Sequence, residues 1–289
     1  MNDVRPSPLA GQWYPADPQR LAQQVDGYIA HAQLPALDGE VIAVVAPHAG
    51  HLYSGPVAGY AFAAVQGLSP DLVAVVSPMH YPYREPLLTS AHQAYATPLG
   101  KVPIDVAAVA RLDGYLRADL GFGLSPVAYD QEHSLEIELP FLQRALPQPF
   151  MLLPVMVRDQ SKATARSLGS ALARLANEAE ELRGRRLLLL ASTDLSHFYR
   201  QSTANLLDQE MLRQVAALSP EGVLRAEEEG RGYACGHGAL AAVLWAAQAL
   251  GADRVQVLYY ATSGDVTGDY ERVVGYGAAV VLRPVKKER

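Results

Sequence analysis

Cysteine is nearly missing from this 289-residue chain, with Cys235 the single example. No intrachain disulfide can form, and the lone thiol is a packing group, a ligand or a nucleophile. Basic residues are outnumbered, 24 Lys and Arg against 30 Asp and Glu, for a formal charge of −6. That balance offers no basic face to a phosphate backbone, and Lys286-Lys287 is too short to supply one, so nucleic acid is not an expected partner. Long apolar runs are absent as well: none approaches the ~18 residues that cross a bilayer. The opening Met1-Asn2-Asp3-Val4-Arg5 lacks the basic and then apolar character of a secretory signal. No membrane association and a cytoplasmic address are expected. Finally, no fixed short repeat and no Ser/Gly-rich or charged linker appears, which sets aside solenoids and propellers and favours one domain over residues 1–289.

What is present is apolar sequence in short blocks. At 49% hydrophobic and 19% charged residues, the chain can bury a large core. Four blocks end abruptly in polar, reactive residues. Ile42–Ala46 leads to His48, Leu72–Val76 to Ser77 and His80, Leu187–Ala191 to Ser192, Asp194 and His197, and Val255–Tyr260 to Ser263 and Asp265. Such blocks read as buried strands of a sheet covered on both faces, and open α/β sheets bind ligands beyond the carboxyl ends of their strands. Phe150–Val157 and Val273–Leu282 read as further strands. Helices are expected after Asp17-Pro18, where Leu21, Val25 and Ile29 recur every four residues, from Ser54-Gly55-Pro56, near Val106–Leu112, and over 161–182, 205–218 and 239–250. The expected fold is α/β, with a central, mostly parallel sheet and helices on both faces.

Each candidate residue has a structural alternative. His48 and His80 occupy equivalent strand-end positions, which favours a shared site over simple backbone hydrogen bonding. Cys235 is either an inert core residue or a site residue, the flanking Gly236 and Gly238 permitting close backbone approach. Asp194 either caps the turn that Leu195-Ser196-His197 enters or orients His197, a candidate for proton transfer. Glu132 and His133 either open the helix that carries Glu136 or contact substrate. Tyr53, Tyr81 and Tyr259 are candidates for an aromatic wall.

Arg5–Pro15, Pro47-His48-Ala49-Gly50 with Tyr53-Ser54-Gly55, Pro78-Met79-His80, Glu132–Glu136, Ser192–His197, Cys235-Gly236 and Ser263-Gly264-Asp265 together resemble the Memo family (AmmeMemoRadiSam system protein B-like). The resemblance implies a fold like that of class III extradiol ring-cleaving dioxygenases, and pathway partners of radical-SAM and AMMECR-like type. It places a divalent metal, iron or copper with zinc as a further option, on His48, His80 and Cys235. Asp194 and His197 follow as catalytic residues, and Glu132, His133, Tyr53, Ser263 and Asp265 as substrate or supporting residues. Two imidazoles and a thiolate suit all three metals and leave positions open. The implied activity is a metal-dependent redox reaction on a small molecule. Two alternatives are a module that binds a peptide or partner in the same pocket, and a thiol hydrolase with Cys235 as nucleophile.

Overall fold

In the computed structural model, which describes residues 3–285, four strands lie side by side and parallel in the order Glu40–Ala46, Leu187–Ser192, Leu72–Pro78 and Met151–Val157. Lys286 and Lys287, noted above, lie outside the described residues. Side chains along these strands alternate between two cores: Ala43, Val45, Leu72, Ala74 and Val76 face one, and Val44, Ala46, Val73 and Val75 the other. The two-residue period of a strand dictates that alternation, and burial of both faces explains why the blocks read as unbroken apolar sequence.

Antiparallel strands flank this parallel centre, so the nine-stranded sheet is mixed. Val273–Arg283 runs against Glu40–Ala46, Arg254–Thr262 against Val273–Arg283, and Leu87–Ser90 against Met151–Val157. The short His197–Tyr199 strand pairs with the start of Val273–Arg283, and a separate small sheet joins Val4–Arg5, Ala94–Thr97 and Gly100–Pro103. The fourth apolar block departs from expectation. Among the described residues its strand, Arg254–Thr262, pairs only with Val273–Arg283, and Tyr259 is exposed, so it is an edge strand and not an interior one. Two antiparallel reversals still point it the same way as Glu40–Ala46, and its end delivers Ser263 to the same edge of the sheet.

Helices Pro18–His31, His51–Ala63 and Leu139–Ala145 cover one face; Val106–Leu120, Lys162–Arg183, Gln201–Ala216, Pro220–Glu228 and His237–Ala249 cover the other. The first begins as expected, with Asp17 accepting a bond from the Arg20 N–H at 2.8 Å. Its Leu21, Val25 and Ile29 are all buried, each contributing about 1.5–3 kcal/mol. The second begins at His51, three residues before the expected Ser54, and runs through Pro56. Pro56 and Leu52, whose carbonyl loses its partner, are both exposed, so water can replace the missing bond. No helix among the described residues is long and apolar enough to cross a membrane.

Candidate metal centre

His48 follows the Glu40–Ala46 strand and is buried. Its backbone N–H donates to Asp194 Oδ1 at 2.7 Å, and its Nδ1 lies 2.9 Å from Ser192 Oγ. Ser192 has a single hydroxyl proton and two further neighbours, the Ser134 carbonyl at 2.6 Å and Glu138 Oε1 at 2.7 Å. The carbonyl can only accept. Glu138 is fully buried, and burial pushes its carboxyl well above the ordinary carboxylate range, offset in part by the bond from Ser192. Ser192 Oγ engages His48 Nδ1, which leaves His48 Nε2 turned toward Cys235 Sγ. Burial, and next the nearby His133, His80 and His197, hold His48 well below the ordinary imidazole value, so it is neutral.

His80 and His133 are oriented by one carboxylate. Glu132 accepts from the His80 N–H at 2.6 Å, His80 Nδ1 at 2.9 Å, the His133 N–H at 2.9 Å and the Ser134 N–H at 3.0 Å. Burial opposes its ionisation, yet these bonds, with His80 foremost, hold it at about 2. The imidazoles of His80 and His133 stack at 4.6 Å, and burial lowers His133 to about 4. Ligand nitrogens of His48, His80 and His133 all lie within 4.8 Å of one another. Three imidazoles, at least two with the second nitrogen committed to a hydrogen bond, match what a divalent first-row metal requires.

The loop that carries Glu132 and His133 is fastened by the start of the chain. Arg5 is buried and meets the Asp130 carboxylate through two bonds of 2.8 and 2.9 Å, the Asp130 carbonyl at 3.1 Å, the Glu132 carbonyl at 3.0 Å, and the carboxylate of Glu136. Tyr14 donates to Glu136 Oε1 at 2.7 Å, and Trp13 packs on the His133 ring at 4.4 Å. The Arg5–Pro15 segment thus supports the site without touching the centre of the triad.

Cys235 Sγ lies 3.1 Å from His48 Nε2 and accepts from the Asp194 N–H at 3.2 Å. A Cβ on Gly236 would fall 2.8 Å from the Ser192 carbonyl oxygen, so only glycine lets the chain approach there. Burial, and then the Asp194 charge, push the Cys235 thiol up. Asp194 itself is pushed up to about 7 by burial, offset in part by the N–H groups of His48 and Ala49. His197 Nδ1 donates to the Leu195 carbonyl at 2.8 Å, leaving its Nε2 free. Beside the centre opens a cleft of about 530 Å³ whose lining includes Trp13, Ala49, Tyr53, Phe198, Ser263 and Tyr276.

A family model for Memo-like proteins matches residues 5–280. The chain belongs to the Memo-like family. It is 34% identical to a MEMO1 family protein of Nitrosopumilus maritimus, across 95% of this chain and 98% of that one. A MEMO1 family protein of Methanopyrus kandleri is 36% identical, again across 95% and 98%. Among solved structures, an uncharacterized protein of Escherichia coli K12 aligns with a TM-score of 0.49 at 12% identity, covering 83% of this chain and 100% of that one.

Within this Memo-like chain the expected residues divide. His48 and His80 come together, and His133, expected only as a supporting residue, joins them. Cys235 is outside that group of three but touches His48. Asp194 does not cap the turn toward His197; it grips the backbone at His48 and Ala49. Glu132 binds N–H groups of His133 and Ser134, and also reaches back to His80. Tyr53 and Ser263 line the cleft, whereas Asp265 is turned to the Thr262 N–H at 2.7 Å and Tyr259 stacks on Tyr60 at 4.3 Å in a separate groove. Arg5, Ser192 and Glu138 were missed as supporting residues. The block ending in Ser192 was the one available signal, since the partners of Arg5 and Glu138 are remote in sequence.

Proposed function

We propose that this protein holds a divalent metal ion, iron or copper with zinc as the further option, on His48, His80 and His133, and uses it on a small molecule in the adjoining cleft. Support comes from three mutually close imidazole nitrogens beside an aromatic-lined cavity of ligand size. Cys235 is the natural fourth donor. Its 3.1 Å separation from His48 Nε2 suits two donors that each sit about 2.0–2.3 Å from one ion. When bound, such an ion would supply a Lewis acid or a redox centre with positions open for substrate. The protein's own part is positional and acid-base. Asp194, Ser192 and Glu132 hold the ligands in place, and His197 Nε2 takes or returns a substrate proton. That combination makes a redox reaction of the kind implied by the dioxygenase resemblance the preferred reading.

Metal content of protein purified without oxygen tests the proposal. Wild type should carry stoichiometric metal, and His48→Ala, His80→Ala and His133→Ala should lose it while remaining folded. A wild type almost free of iron, copper and zinc would refute it. One observation favours a binding module instead: Tyr53 and Phe198 are exposed at the cleft, as contact surfaces often are. Ligand or partner binding that survives His48→Ala and His80→Ala, without turnover, would establish that alternative. The thiol-hydrolase reading has the Cys235–His48 contact in its favour. Against it stands the raised thiol, since a nucleophile needs the thiolate.

A further inference from the structure

One residue of the cleft holds a backbone conformation that its side chain disfavours. Phe198 has φ 64°, in the left-handed region that bulky residues rarely enter. Burial does not offset the strain, because the residue is 61% exposed. Strain of this kind persists where the surrounding structure imposes it, and it gathers at ligand-binding positions. Here it turns the aromatic ring over the cleft, edge-on to His197 at 5.8 Å and beneath the guanidinium of Arg272 at 5.5 Å.

Arg272 also lines the cleft, and the carboxylates near it in sequence are engaged elsewhere. Glu271 pairs with Arg200 at 3.0 Å, and Asp269 accepts the Glu271 N–H at 2.9 Å. Arg272 has no ion pair among the described residues. Its guanidinium carbon lies over Phe198 without using the donors, which stay available to a planar anion. A single guanidinium with Asp269 in the same wall suits a monoanionic carboxylate better than a phosphate dianion, which would require further cations.

We propose that Phe198 and Arg272 select the substrate of this cleft: a planar small molecule bearing a carboxylate, with its ring against Phe198 and Tyr53 and its carboxylate on Arg272. This rests on the reading of the cleft as the substrate pocket and is independent of which metal the histidines hold.

The test uses 4-fluorobenzoate, neutral 4-fluorobenzamide and 4-fluorophenyl phosphate as probes, with binding followed by fluorine NMR on protein as purified and after chelation. Wild type should bind the benzoate more tightly than the other two, before and after chelation. Arg272→Ala should weaken benzoate binding about tenfold or more and leave the amide unchanged. Phe198→Gly should weaken benzoate binding while raising Tm, because glycine accepts the left-handed backbone. Equal binding of benzoate and amide, tighter binding of the phosphate, or no binding of any probe overturns the proposal. So does loss of benzoate binding on chelation, which would put the carboxylate on the ion, or a Phe198→Gly protein that is less stable yet binds normally. Wild type that is almost free of iron, copper and zinc as purified yet binds benzoate would refute the metal reading alone.

Discussion

Asp194 and Glu132 each hold the backbone of a candidate ligand, accepting the N–H of His48 at 2.7 Å and of His80 at 2.6 Å. Both are buried, yet they ionise in opposite directions, Asp194 up to about 7 and Glu132 down to about 2. The difference lies in what repays desolvation. Glu132 collects three backbone N–H groups and a ring nitrogen of His80, and His133 stands close by. Asp194 has the N–H groups of His48 and Ala49 and a lesser contribution from nearby His80, too little to offset its burial. Burial therefore decides for Asp194, and hydrogen bonds decide for Glu132. One arm of the centre is a strand end that tolerates a strained acid; the other is a loop that depends on its charge.

Removing Arg5 should break this contrast most severely. Arg5→Ala would leave Asp130 and Glu136 buried without their cation, at a cost of about 3–5 kcal/mol. The Glu132–His133 loop would lose its anchor while His48 kept its own. Denaturant unfolding should show the loss, and metal titration of the surviving folded protein should show weakened uptake.

The pH dependence of stability, measured on chelated protein, sharpens the contrast. Asp194 has a folded value near 7 against 3.8 for an ordinary aspartate, so between these the folded protein binds the extra proton and stability falls as pH rises, by at most about 4 kcal/mol. Asp194→Asn should flatten that fall. Glu132, at about 2 against 4.5, behaves inversely. Its contribution is fully present above about pH 4.5 and disappears as pH falls toward 2, by at most about 3 kcal/mol. Glu132→Gln should abolish the acid-side loss. Slopes of the same sign for the two would refute the assignment.

Ser192→Ala tests the strand-end arm by itself. Without Ser192 Oγ, His48 Nδ1 loses its hydrogen-bond partner and the ring is no longer held with Nε2 toward the centre. Metal affinity should drop about 10- to 100-fold, with unfolding free energy lowered by about 1–3 kcal/mol because Ser134 and Glu138 lose a buried partner. An unchanged affinity would mean that Ser192 has no part in orienting the ligand.

The two arms were not equally legible. His48 and His80 could be read because a buried strand leaves a continuous apolar signature and the chain turns at its end. His133 could not be ranked with them, because its loop has no such signature and is held by Arg5 at a separation of more than 120 residues. Asp194 was recognisable as a polar stop, but its partner lies 146 residues away, past the end of another strand, and a local cap was the nearer reading. The Arg254–Thr262 strand misled for a related reason: its apolar residues pack on neighbours from one side, and composition does not distinguish an edge from an interior. Pro56 pointed to a helix start because proline favours the first turn, whereas exposure lets it sit deeper.

Cys235→Ser should have the smallest effect on stability and bears directly on the ligand set. The thiol contacts His48, Thr193 and Asp194, all belonging to the strand-end arm, and serine keeps a donor and acceptor there. Unfolding free energy should change by about 1 kcal/mol or less. The ion should still bind through three imidazoles. If Sγ is the fourth donor, cobalt-loaded wild type will show a sulfur-to-metal charge-transfer band that Cys235→Ser lacks, since only a coordinated thiolate gives one. Identical spectra would confine the centre to His48, His80 and His133 and reduce Cys235 to a neighbour that hydrogen-bonds His48 when no ion is bound.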